Sequence, residues 1–152
     1  TQPKYSYNSH WQDRPIIQYP QDIVAMQELI WSIKPDLIIE TGIAHGGSLV
    51  FSASMLALLD MCDAIEAGTV IDPSKSSRKV LGIDIDIRAH NRAAIQDHPM
   101  ASRIEMIEGS SKDTSVSLSV WIQTIPMIMS GANWSFMRRL RRSEVTASSL
   151  TR

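Results

Sequence analysis

The chain has 152 residues, a formal net charge of -1 at pH 7 and 43% hydrophobic residues. That is enough for one globular domain with a sizeable core, and the near-zero charge gives no electrostatic case for nucleic acid or an anionic membrane as partner. A single cysteine, Cys62, excludes an internal disulfide, so a reducing, cytoplasmic setting is the expectation.

Residues 1–21 read as a polar arm carrying Trp11, Pro15 and Pro20. The prolines forbid one continuous helix, and the arm is expected to act as a lid or as an extension covering the core. It has no basic-then-apolar leader, and its first residue is Thr1 rather than Met. Asp22 then offers an N-cap, and Ile23, Met26, Ile30 and Ile33 recur at helical spacing up to Pro35.

The next stretch organises the chain. Leu37-Ile38-Ile39 ends in Glu40-Thr41-Gly42-Ile43-Ala44-His45-Gly46-Gly47-Ser48, and residues 49–62 are apolar nearly all round. This pattern predicts a buried strand, a tight loop and a helix packed on a sheet. Taken alone, such a glycine loop reads first as a plain strand-to-helix turn. A second acidic strand end downstream favours a ligand site.

Residues 63–79 are a polar insertion with a short Thr69-Val70-Ile71 run, expected as a loop or small hairpin. Lys79-Val80-Leu81-Gly82-Ile83-Asp84-Ile85-Asp86 predicts a second strand. Asp86 is expected to cap a helix over residues 88–96, and residues 103–111 alternate as a third strand with a Gly109-Ser110 turn. Residues 37–111 therefore predict a βαβαβ half of a doubly wound α/β sheet.

Ligands of such sheets sit at the carboxyl ends of the strands. Three ends carry polar readers: Glu40 with Gly42, Asp84 with Asp86, and Glu108-Gly109-Ser110. An acid on the second strand can accept hydrogen bonds from two ribose hydroxyls, and the third turn can approach an adenine. The loop lacks the Gly-x-Gly pair of a dinucleotide fingerprint, and Glu40 disfavours a pyrophosphate. Glu40 suits a ligand with a cationic amino-acid end, such as S-adenosylmethionine. No His or Cys pattern with zinc spacing occurs, and Gly109-Ser110 lacks a hydrolase elbow. Residues 116–137, broken by Gln123, Pro126, Ser130, Gly131 and Asn133, make a poor membrane span.

The segments Glu40 to Ser48 and Gly82-Ile83-Asp84-Ile85-Asp86-Ile87-Arg88 resemble the cephalosporin hydroxylase/rhamnosyl O-methyltransferase family, as do residues 14–22 and 103–111. The resemblance runs from about Tyr5 to Ser111. It implies an incomplete Rossmann-like class I methyltransferase sheet and an O-methyltransferase acting on a small-molecule or glycan hydroxyl. It implies S-adenosylmethionine at Glu40, Thr41, Gly42, Ala44, His45, Gly46 and Ser48, with Asp84 on the ribose and Glu108, Gly109 and Ser110 completing the site. It also implies a divalent metal such as magnesium, held by acids after the fourth and fifth strands. Homo-oligomers are compatible with it.

After Ser111 the sequence departs from the family, which expects an apolar strand ending in an Asp-Ser-Asn-His-like motif; residues 112–152 form an atypical tail. A change of reading frame accounts for this. Val120-Trp121-Ile122-Gln123-Thr124 can be encoded GTC TGG ATT CAA ACC. Read from the last nucleotide of the Val codon, this becomes CTG GAT TCA AAC, or Leu-Asp-Ser-Asn. The expectation is then a cofactor half-site whose metal-holding acids are lost, and a non-catalytic fragment is the alternative function. The competing account of the tail is a natural short variant with its own C-terminal helix.

Overall fold

The computed structural model describes residues 9–112; the tail from residue 113 on, with the proposed frame change, lies outside the described residues. Within them the fold is α/β, with a two-stranded hairpin and a three-stranded parallel sheet.

The arm is a hairpin. Strand β1 (Ser9–Trp11) pairs antiparallel with β2 (Arg14–Ile16), with Ser9 opposite Ile16 and Trp11 opposite Arg14. Its two turn residues, Gln12 and Asp13, both have positive φ, 45° and 66°. That geometry matches the natural twist of paired strands. Tertiary contacts hold it in place of a turn glycine. The Trp11 indole N–H donates to Ser54 Oγ at 3.0 Å, and its ring meets Phe51 edge-on at 4.9 Å. Ile16 is 1% exposed, and His98 Nε2 lies 3.0 Å from the Gln12 carbonyl oxygen.

Helix α1 (Pro20–Ile33) begins two residues before the expected cap. Tyr19 is the N-cap and makes no side-chain cap bond. Pro20 takes the first turn, where its missing N–H costs nothing, and Asp22 sits in that turn as a favourable charge. The helix stops as expected before Pro35, with Lys34 in the left-handed region at φ 49°.

Strand β3 (Leu37–Thr41), helix α2 (Gly47–Ala67), strand β4 (Lys79–Asp84), helix α3 (Ala89–Gln96) and strand β5 (Ile104–Glu108) form the expected βαβαβ unit. Sheet order is β3-β4-β5, with β4 in the middle. All four residues from Val80 to Ile83 are buried, which explains the unbroken apolar run. The α2 helix outruns the expected 49–62 span and ends at Gly68, φ 63°. It is long and apolar enough to cross a membrane, yet Leu49, Val50, Phe51, Leu56 and Leu59 form the core with Val80, Ile95 and Ile104. Of the two forms expected for the polar insertion, residues 69–71 take the loop, with Val70 in solvent. One expectation fails here. Asp86 does not cap α3; Arg88 is its N-cap, and the exposed Asp86 instead donates its own N–H to Asp84 Oδ1 at 3.3 Å.

A charged cluster ties α2 to the starts of β4 and β5. Asp60 accepts from Arg78 at 2.5 Å and from Arg103 and Ser76 at 2.6 Å each, and Arg78 also reaches Asp63 at 2.7 Å. Burial pushes the Asp60 carboxyl upward, but hydrogen bonds from Ser76, Arg103 and Arg78 outweigh it and hold it below the ordinary 3.8. The folded chain thus favours ionised Asp60. Its contribution is complete above the unfolded value and drains away as pH falls through the lower folded value. Asp60→Ala leaves the buried Arg103 guanidinium without its carboxylate, while Arg78 keeps Asp63, and should cost about 3 kcal/mol in urea unfolding at neutral pH. The gap to the parent chain should narrow as the pH falls below 3.8.

Candidate cofactor site

The parallel register aligns the carboxyl ends of the strands. Glu40 lies beside Gly82, Thr41 beside Ile83, and Asp84 beside Glu108. The three acidic ends therefore share one sheet edge, as the sequence predicts.

The loop from β3 to α2 is built on positive φ at Gly42 (85°), Ala44 (47°) and Gly46 (82°). Glycine takes such angles freely, whereas Ala44 is strained there and must be held. Four side-chain contacts hold the loop. Asp84 Oδ2 accepts the N–H of Ile43 at 2.6 Å and that of Ala44 at 3.4 Å. The Asn91 amide donates to the Ala44 carbonyl at 2.8 Å, and the Arg14 guanidinium donates to the His45 carbonyl at 2.9 and 2.5 Å. Gly46 also leaves no room for a side chain, since an added Cβ would press into Ile95.

Burial works to raise the Asp84 carboxyl, but the backbone N–H groups of Ile43, Asp86, Ala44 and Ile85 prevail and keep it below its ordinary value. Its first task is to anchor the loop. Glu108 pairs with Arg92 at 2.7 Å. Gly109 donates its N–H to the Asp84 carbonyl at 2.8 Å, and Ser110 Oγ accepts the N–H of Lys112 at 3.3 Å.

A cleft of about 280 Å³ opens beside the loop. Glu40, Thr41, Gly42, Ala44, His45 and Ser48 line it; Gly46, Asp84, Glu108, Gly109 and Ser110 lie outside its lining. The arm, expected as a lid or a cover of the core, contributes to the lining, together with residues of α1 and α2 that the sequence does not point to. These are Pro15, Ile17 and Gln18 from the arm, Met26 from α1 and Phe51 from α2. Glu40 is among the lining residues, and its Oε1 accepts the Ser52 hydroxyl at 2.5 Å. The N–H end of α2 also opens there, through Gly47 and Ser48. An acid and a helix N-terminus thus both line the cleft, with Ile17, Met26 and Phe51 among its apolar residues.

The profile of the rhamnosyl O-methyltransferase/CmcI family matches residues 3–128. The chain belongs to this family. The match extends past Ser111, beyond the reach of the resemblance read from the sequence. No curated protein matches the chain. A solved chain titled "cmcI-N160 SAH" shares 19% identity with a TM-score of 0.44, covering 67% of this chain and 43% of its own length. The chain thus spans less than half of that structure. Among the described residues no cluster of His, Cys, Asp or Glu has the makings of a metal site.

Two residues that fix the loop, Arg14 and Asn91, were not singled out in the sequence. Asn91 carried a signal: it falls between Ile87 and Ile95 at four-residue spacing, and all three are buried. A polar residue on an apolar helix face needs a partner. Arg14 opens the family-like segment 14–22, but nothing there points to its partner, which is 31 residues away.

Proposed function

We propose that the chain binds S-adenosylmethionine in the cleft beside the Glu40–Ser48 loop, as the cofactor half of an O-methyltransferase site. The observation that carries this reading is the pairing of Glu40 with the N–H end of α2. A carboxylate attracts an α-ammonium, and a helix N-terminus attracts an α-carboxylate. The two together fit a zwitterionic amino-acid end. Ile17, Met26 and Phe51 suit the alkyl and sulfonium portion. The nucleoside portion is assigned toward the ends of β4 and β5, near Asp84, Glu108, Gly109 and Ser110. When bound, S-adenosylmethionine supplies an electrophilic methyl group for transfer to a hydroxyl oxygen. The chain's own part is to bind, orient and shield. The acceptor is proposed to be a small-molecule or glycan hydroxyl, and the setting a reducing cytoplasm.

Calorimetric titration with S-adenosylmethionine tests this. Saturable one-to-one binding is expected, and Glu40→Gln should weaken it about tenfold or more through loss of a charge-assisted contact. No binding by the folded chain would refute the reading. The second reading, a cofactor-binding fragment without turnover, draws on the absence of an Asp-Ser-Asn-His-like motif after Ser111, although the family match continues to residue 128, and on the frame change proposed to explain it. The nucleotide sequence around the Ser111 codon decides that point. A coding sequence without an overlapping Leu-Asp-Ser-Asn frame would sink it.

A further inference from the structure

The N-terminal hairpin reaches into the loop itself. Arg14 on β2 donates through both Nε and Nη2 to the His45 carbonyl, and its Nη2 also reaches Asn91 Oδ1 at 3.1 Å. Asn91 passes the link on, donating to the Ala44 carbonyl. Asn91 is 4% exposed, so water is a poor substitute for these bonds. Asp84 holds the amides of the same turn from the other side. The strained Ala44 is therefore gripped by its N–H and its C=O at once.

We propose that Arg14 and Asn91 are positioning residues that fix the 43–46 turn through its carbonyl oxygens. The arm then acts as a structural part of the site rather than a cover for the core. The functional part of this rests on the cofactor reading above, whereas the clamp itself is a property of the chain alone.

Hydrogen exchange on the full chain without ligand tests the clamp. Arg14→Ala and Asn91→Ala should each speed exchange of the Ile43, Ala44 and Gly46 amides about tenfold or more, the loss expected for one charge-assisted or buried bond. Residues 79–84 in β4 should keep their parent rates. Arg14→Lys should restore little, because an ammonium cannot serve the His45 carbonyl and Asn91 with a fork of donors. A turn that exchanges no faster overturns the proposal. Equal acceleration in β4 overturns it too, since that marks general destabilisation. Titration of the same variants with S-adenosylhomocysteine reads the functional part: about tenfold weaker binding is expected. A parent chain that binds none, with the turn still loosened by Arg14→Ala, refutes the cofactor reading and leaves the clamp standing.

Discussion

Replacing Gly47 by alanine should undock the hairpin and lower stability, although alanine is the better helix former by about 1 kcal/mol. A Cβ at Gly47 would run into the Pro15 carbonyl group and stand 2.8 Å from the Ile16 Cα. Both obstacles are backbone, so no rotamer change relieves them. Either α2 or β2 must move, and β2 is the lighter element. Movement pulls Ile16 from the core and breaks the Trp11–Ser54 bond and the Trp11–Phe51 contact. Overpacking of this kind costs about 1–3 kcal/mol, and the undocking adds to it. A fall in midpoint of roughly 10 °C in thermal denaturation follows for a body of this size. Chymotrypsin should then cut at Trp11 well before the rest of the chain. A Gly47→Ala chain more stable than the parent would contradict the docking described.

Asp84→Ala should open the loop. The Ile43 side chain is buried, at 2% exposure, and the Ile43 N–H has Asp84 as its acceptor. Removing that acceptor leaves a donor unpaired, at about 1–3 kcal/mol, and the strain at Ala44 loses one of its restraints. Asp84→Asn should be milder, since an amide oxygen can still accept from Ile43. The pH dependence has a definite sign. The folded state lowers the Asp84 carboxyl below 3.8, so it favours the ionised form. The stabilisation is whole above 3.8 and disappears as pH falls through the lower folded value. Acid unfolding of Asp84→Ala and the parent should therefore converge at low pH and separate above it. A constant gap down to the lowest pH would deny Asp84 this role.

The strands and the core helix were legible because their cause is local. Leu37–Ile39 and Val80–Ile83 are short apolar runs with acids at their ends, and the pattern of the α2 segment fits no solvent-facing helix. The glycines at 42 and 46 announced the turn that their positive φ now shows. The hairpin was hidden because its turn uses Gln12 and Asp13 in place of glycine, and Trp11, Ile16 and His98 supply what the turn lacks. The start of α1 was misplaced because a proline at the first turn did the work expected of Asp22. The cleft's first wall was readable from Glu40 to Ser48, whereas its second wall comes from the arm, α1 and α2. Asp84 stands out in the sequence for its position at the end of the second strand, but the spacing gives no hint that one of its oxygens faces the loop amides.

The claim that the Glu40–Ser48 loop is a cofactor site is tested most directly by amide resonances during titration with S-adenosylhomocysteine. The account predicts saturable shifts at Thr41, Gly42, Ala44, His45, Gly47 and Ser48, with smaller shifts near Asp84 and Glu108. Saturable shifts confined to other parts of the chain, or no shifts in a folded protein, would contradict it.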